Sequence, residues 1–312
     1  MSKIIETFSF VVDENGNEQR LDKYISESLE EVTRSYVEKL IGGNFVRVND
    51  ILCNKKSKKL KLNDRLEIDI PEEDEIELSP ENIPIDIVYE NENFLIINKQ
   101  AGLVVHPANG HYSGTLVNAL IYRAKNLSDL NGKHRLGIIH RLDKDTSGLL
   151  IVAKNNFAHA KLSEMFLNKT IKKTYICIVK GNFSEEKKIG RIENLIGRDT
   201  KDRKKMAVVD RNGKTAITNY RVLESKNNFS LLEVKIETGR THQIRVHMRS
   251  IGHPILGDEV YGNKTNGIER QMLHAYKLEF INPIDNLEYN FVGKIPGDFL
   301  NVCKKIGFNI NF

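Results

Sequence analysis

The stretch that most limits how this chain can fold is Pro71 to Pro84, which reads PEEDEIELSPENIP. Acidic, proline-bearing text is a poor core former, so it is expected to be a linker. It divides the chain into a small unit over residues 1–70 and a large one over 85–312, with a linker at 71–84. The two sides carry different periodicities.

On the N-terminal side, Leu21, Tyr24, Ile25, Ser28 and Leu29 recur at helical spacing. A second short helix is expected from about Arg34, with Val37, Leu40 and Ile41 inward and Gly42-Gly43 as its stop. Short β-type runs follow at Phe45 to Val48 and Arg65 to Ile68, with a turn at Asn49-Asp50. Lys55, Lys56, Lys58, Lys59 and Lys61 crowd into seven residues, while Arg34 and Lys39 lie off the apolar stripe of the second helix. Such a cluster can neutralise phosphates with release of counterions, although charge runs are ordinarily just solvated. The overall net charge of +5 permits a polyanionic partner without requiring one.

Beyond the linker the chain turns strand-rich, with candidates at Ile87 to Tyr89, Phe94 to Asn98, Gly137 to Arg141, Leu149 to Ala153, Thr174 to Val179, Ala216 to Val222 and Leu231 to Ile236. A helix is expected over Asn156 to Leu167, with Ala158, Leu162, Met165 and Phe166 on one side. Many strands with little βα alternation imply an α+β fold: a mixed, mainly antiparallel sheet flanked by helices. No apolar run approaches the roughly 20 residues of a membrane span, and residues 1–16 lack a signal-peptide core, so a cytoplasmic location is expected. Cys53, Cys177 and Cys303 have no paired spacing, which leaves them as ordinary thiols. His140, His242, His247, His253 and His274 invite a metal reading, but on a helix His242 and His247 would point well apart and no carboxylate or cysteine stands at ligand spacing. No metal site is expected.

The chemistry gathers in Leu136 to Lys154, LGIIHRLDKDTSGLLIVAK. An apolar run delivers His140-Arg141-Leu142-Asp143, a polar turn follows, and a second apolar run leads away. Spacing alone leaves two readings open: a hairpin with a solvated tip, or a carboxylate presented at a strand end for catalysis. Asp145 is the rival carboxylate, placed on the loop where a turn role suits it. Farther on, ETGRTHQIRVHMRSIGHPILGD lets Thr241 cap a helix with Ile244, Met248 and Ile251 inward and His242, Arg245 and Arg249 sharing another face.

HRLDKDTSGLLIVAK resembles the signature of the RluA-type family of RNA pseudouridine synthases. RLDKYI and FVRVND around the first two helices resemble the S4-type RNA-binding domain. The first resemblance implies that Asp143 is the catalytic carboxylate, that Tyr175 of KKTYICIVKG lies against the base and helps remove its carbon-bound proton, and that Arg245 pairs with Asp143. It also implies a substrate pocket of Arg141, as a wedge in the vacated base stack, with His140 and with Leu273 of QMLHAYKLEF as an apolar floor. KDRKKM, containing Lys204 and Lys205, resembles the family's basic insertion against RNA. Gln100 departs from the pattern, where a proline is typical. The function so implied is isomerisation of uridines, most like the RluD-type members that act on large-subunit ribosomal RNA, by a monomer using base flipping and no cofactor. The competing readings are a non-catalytic RNA-binding or ribosome-assembly factor on the same scaffold, and a nucleosidase that releases free base.

Overall fold

The computed structural model describes residues 4–29, 34–71, 78–107, 113–123, 127–130, 136–199, 202 and 205–309. Two compact units emerge, Met1–Ile76 and Glu77–Phe312. In the first, strands β1 (Ile4–Val11), β2 (Val46–Val48), β3 (Ile51–Leu52) and β4 (Arg65–Pro71) form a sheet in the order β1-β4-β2-β3, beside helices α1 (Leu21–Ser28) and α2 (Arg34–Gly42). The apolar stripes of both helices close on the sheet, with Leu21, Ile25, Val37, Leu40 and Ile41 buried against Val46, Leu66 and Ile68. At Asn49 and Asp50 both φ angles are positive, the geometry of a tight hairpin turn between β2 and β3.

The second unit is built on a ten-stranded sheet. Its strands are β5 (Asp86–Glu90), β6 (Phe94–Lys99), β7 (Ser147–Ala153), β8 (Lys172–Lys180), β9 (Ile189–Arg198), β10 (Met206–Val209), β11 (Lys214–Lys226), β12 (Phe229–Ile236), β13 (Leu273–Ile281) and β14 (Glu288–Val292). The order is β10-β9-β11-β12-β8-β13-β7-β6-β5, with β14 beside β13. Every pairing is antiparallel except that of β13 with β7. Alternation along the central strands sends side chains to two faces. Tyr175, Cys177 and Val179 of β8 join Leu273 and Ala275 in a core shared with α3 (Leu116–Arg123) and α5 (Gln243–Ser250). Ile176 and Ile178 face the other way, onto Phe299, Val302 and Cys303 of α6 (Gly297–Ile306). The helix expected at Asn156–Leu167 forms as α4, capped by the Asn155 side chain and packed by Ala158, Leu162 and Met165.

Two expectations change. Leu78, Ile83 and Ile85 pack on the core of the second unit, and the Glu81 carboxylate accepts the Gly114 N–H, so the stretch from Leu78 onward belongs to that unit rather than to a linker. Residues 72–77 of the expected linker lie outside the described residues. Gly137 to Arg141 is also no strand: it touches β7 through one bridge, Ile138 to Val152. The reason is competition for the β7 edge. Ser147 and Gly148 are already paired with His274 and Ala275 of β13, and Ile151 gives its N–H to the His140 imidazole. Gly148 permits the closeness, since at φ +118° a Cβ there would lie 2.2 Å from the Ala275 carbonyl oxygen. Asp143 therefore stands on a loop feeding β7, above the middle of the sheet.

Candidate active site

The loop carrying Asp143 is clamped residue by residue. Leu142 anchors it in the core, and the Thr146 N–H closes a turn on the Asp143 carbonyl at 3.1 Å. The Lys144 carbonyl accepts from the Gly102 N–H at 3.0 Å and from Lys99 Nζ at 2.9 Å. Arg270 donates to the Asp145 carbonyl, and Gln271 to the Thr146 hydroxyl. Lys99 is only 1 % exposed, and its other contacts are the Gln100 and Leu103 carbonyls. Burial pushes its ammonium down to about 7, against the pull of Asp145 and Asp143.

Asp143 meets Arg245 across 102 residues of chain: Nη1 donates to Oδ2 at 3.0 Å. The same guanidinium grips Asp258 with two prongs, Nε to Oδ2 at 2.7 Å and Nη2 to Oδ1 at 3.0 Å. Asp258 is fully buried, and its Oδ1 also accepts the N–H groups of Val260 and Tyr261. Burial opposes the charge on Arg245, but Asp258 and then Asp143 outweigh it and hold the guanidinium above its ordinary value. The Tyr261 ring stacks 5.0 Å from it. Arg245 thus has one orientation available, which fixes the Asp143 rotamer.

The start of α5 departs from the expected cap. Thr241 is exposed, and the residue before the helix is His242, left-handed at φ +56°. Gln243 supplies the fastening: its Oε1 accepts from the Arg240 N–H and the Thr238 hydroxyl, while its Nε2 donates to the Ile217 carbonyl and the Thr218 hydroxyl. His242 Nε2 comes 3.9 Å from Asp143 Oδ1. Arg249 is exposed and absent from the cleft lining, so the expected shared face breaks up.

Around Asp143 opens a cleft walled by Arg141, Tyr175, His242 and Leu273, with Arg240 beside them. Tyr175 and Leu273 are buried; Arg141 is exposed. Burial, reinforced by Asp143, raises the Tyr175 phenol above its ordinary value, so it stays protonated. His140 is the exception among the expected pocket residues. It is not part of the lining, because its Nε2 accepts the Ile151 N–H and its ring stacks on Phe166.

This placement has a pH consequence. Burial, with Lys173 nearby, pushes His140 down to about 3 from 6.5. The folded chain keeps the imidazole neutral where the unfolded chain protonates it. Stability from this group is therefore whole above pH 6.5 and drains away as the pH falls toward 3. A His140→Gln variant keeps an acceptor but cannot titrate, so its urea midpoint is expected to fall less steeply than the wild type's over that range. Equal slopes would remove His140 as the cause.

The other histidines hold separate posts: His247 bonds the Thr218 hydroxyl, His253 the Lys180 carbonyl and His274 the Ser147 hydroxyl. Among the described residues no three His, Cys, Asp or Glu side chains gather as metal ligands.

Comparison with known proteins matches residues 93–250 to the family model described as RNA pseudouridylate synthase, a span that holds Asp143, Tyr175 and Arg245. The chain belongs to the RNA pseudouridine synthase family. An uncharacterized RNA pseudouridine synthase of Aquifex aeolicus is 44% identical over 292 residues, 90% of this chain and 91% of that protein. The ribosomal large subunit pseudouridine synthase D of Borreliella burgdorferi is 44% identical over 298 residues, 93% of this chain and 90% of that protein. The solved human RNA pseudouridylate synthase domain containing 1 aligns with a TM-score of 0.55 at 26% identity, covering 73% of this chain and 97% of that one. Residues 19–66 match the S4 domain.

In the S4 unit of this synthase, Arg34 and Arg20 both bind Asp22, which is fully buried and which Arg20 above all holds well below the usual carboxylate range. Lys39 and Lys55 are exposed and Lys58 half-buried. Lys56 pairs with Glu38 and Lys59 with Glu18, surface pairs of a kind too weak to withhold a lysine from a phosphate. Lys205 reaches Asp202 within its own loop; Lys204 lies outside the described residues.

Sequence reasoning missed Lys99, Asp258, Tyr261, Arg270 and Gln271 as parts of this site. One signal was available for the lysine: it closes an apolar run, Phe94 to Ile97, that reads as a buried strand. Asp258 ends a quoted motif, but nothing local separates a buried aspartate from a surface one. No helix among the described residues is long and apolar enough to cross a membrane.

Proposed function

We propose that this synthase isomerises uridines of large-subunit ribosomal RNA, with Asp143 as the carboxylate that acts on the ribose. The observation that carries the reading is a carboxylate, fixed by a buried arginine, facing an open cleft lined by Tyr175 and Leu273, where a nucleotide flipped out of the RNA stack would have to be presented. Arg245 keeps Asp143 ionised and in place. Leu273 is the apolar floor under the base and Tyr175 lies against it, with a phenol that burial keeps protonated. Arg141, exposed at the rim, fills the gap left in the RNA stack. Arg34, Lys39, Lys55, Lys56, Lys58 and Lys59 contribute phosphate contacts, which add affinity more than sequence reading, and Lys204 and Lys205 of the larger unit are part of the same proposal. Ribosomal RNA as the target is supported by relatives named ribosomal large subunit pseudouridine synthase D. A monomer acting in the cytoplasm is part of the same proposal.

The test is to incubate the protein with transcripts of large-subunit, small-subunit and transfer RNA, digest them to nucleosides and separate the products. Pseudouridine is expected from the large-subunit transcript, with no free uracil. Free uracil would mean a nucleosidase, and unchanged uridine in every RNA would mean a binding factor.

A further inference from the structure

We propose that His242 is a further catalytic residue, its Nε2–H donating a hydrogen bond to O2 of the uracil as the base leaves the ribose. The inference rests on the reading of Asp143 given above. It begins with a count of hydrogens at Tyr261. The Tyr261 oxygen accepts the Met206 N–H at 2.8 Å and lies 2.7 Å from His242 Nδ1. A phenol has one hydrogen to give, this one is almost wholly buried, and His242 Nδ1 is the acceptor beside it. With that hydrogen assigned to Nδ1, the imidazole hydrogen sits on Nε2, the tautomer on which the proposal rests.

The backbone then aims that hydrogen. Left-handed at His242, the chain turns the ring off the helix and into the cleft, where it forms part of the wall. Nε2 lies 3.9 Å from Asp143 Oδ1, too far for a hydrogen bond between them and near enough for both to reach one substrate. The two carboxylate oxygens are thereby distinguished: Oδ2 is held by Arg245, and Oδ1 is the one nearer the imidazole.

The reaction needs a donor at this place. When the bond from ribose C1′ to base N1 breaks, both electrons go to the base, whether Asp143 attacks the sugar or removes its neighbouring proton. The negative charge spreads onto O2 and O4. O2 sits on the ring carbon next to N1 and so close to the carboxylate, whereas O4 lies across the ring. A fixed donor beside Oδ1 thus meets O2, where charge grows in the transition state. The hydrogen stays on Nε2 throughout, so none has to be returned. Burial, opposed by Asp143, lowers the His242 pKa, which keeps the ring neutral; an imidazolium would pair with Asp143 and compete for its charge.

The experiment measures turnover of His242→Leu and His242→Gln on a target RNA carrying uridine or 2-thiouridine, whose sulfur accepts hydrogen bonds poorly. With uridine, His242→Leu is expected to lower kcat by about 10²–10³-fold, the usual loss for one such donor, with KM nearly unchanged. Glutamine, which offers an N–H near the Nε2 position, should recover most of it. With 2-thiouridine the wild type is itself slow, and the leucine substitution should cost little more. Equal cost on both RNAs, or undiminished kcat in His242→Leu, would overturn the assignment. Nitrogen-15 NMR of the unmutated protein tests the tautomer independently: a hydrogen found on Nδ1 also overturns it. Asp143→Asn assayed on the same RNA separates the two levels, because turnover there would refute the role of Asp143 itself, while failure at His242 alone leaves that role standing.

Discussion

Asp143→Asn is expected to abolish pseudouridine formation, by roughly 10⁴-fold or more, while the protein stays folded and still binds RNA. The substitution keeps the shape of the side chain and leaves an oxygen to accept from Arg245 Nη1. The guanidinium meanwhile keeps both prongs on Asp258. Loop geometry should survive as well, because Lys99, Arg270 and Gln271 grip the backbone and Thr146 rather than the Asp143 carboxylate. What disappears is the ionised oxygen that acts on the ribose, and an amide has no comparable nucleophilicity or basicity. Nucleoside chromatography after prolonged incubation measures the first quantity, and filter binding to the same RNA the second. Turnover in the variant would move catalysis elsewhere, with Asp145 the first place to look. Loss of RNA binding would make Asp143 a folding or docking residue instead.

How far this site could be read in advance differed with the kind of interaction that made it. Helices α1, α2 and α4 follow from apolar spacing, because their stripes face one core each. Strands β6, β7 and β8 were legible as apolar runs for the same reason, being buried on both faces. The run ending in Arg141 failed because its apolar residues answer to a core contact and a shared sheet edge, which no pattern within the run records. β1 was overlooked since it is largely exposed and borrows its order from β4. Helix α6 carries a readable stripe in Phe299, Val302, Cys303 and Ile306. The pair Asp143 and Arg245 could be named only through resemblance, because ion pairing across 102 residues leaves no local mark. Asp258, the group that makes Arg245 rigid, was invisible on the same ground.

Replacing Arg245 by methionine should cost both stability and activity, and the two losses can be taken apart. Arg245 is all but buried between a fully buried Asp258 and a mostly buried Asp143. Such a pair adds little net stability when intact, since desolvation offsets attraction, but removing one partner strands the other charge at a cost of about 3–5 kcal/mol. In Arg245→Met the stranded group is Asp258, left with only the Val260 and Tyr261 N–H groups. A fall in Tm of roughly 10 °C is expected by calorimetry for a unit of this size, together with loss of turnover. The double variant Arg245→Met with Asp258→Asn strands no full charge in the core and should regain most of that Tm. It should not regain turnover, because Asp143 still lacks its guanidinium and can rotate away from the cleft. A double variant that recovers catalysis along with stability would reduce Arg245 to a structural partner of Asp258. A single variant with an unchanged Tm would mean that Asp258 is not the buried, dependent charge its surroundings describe.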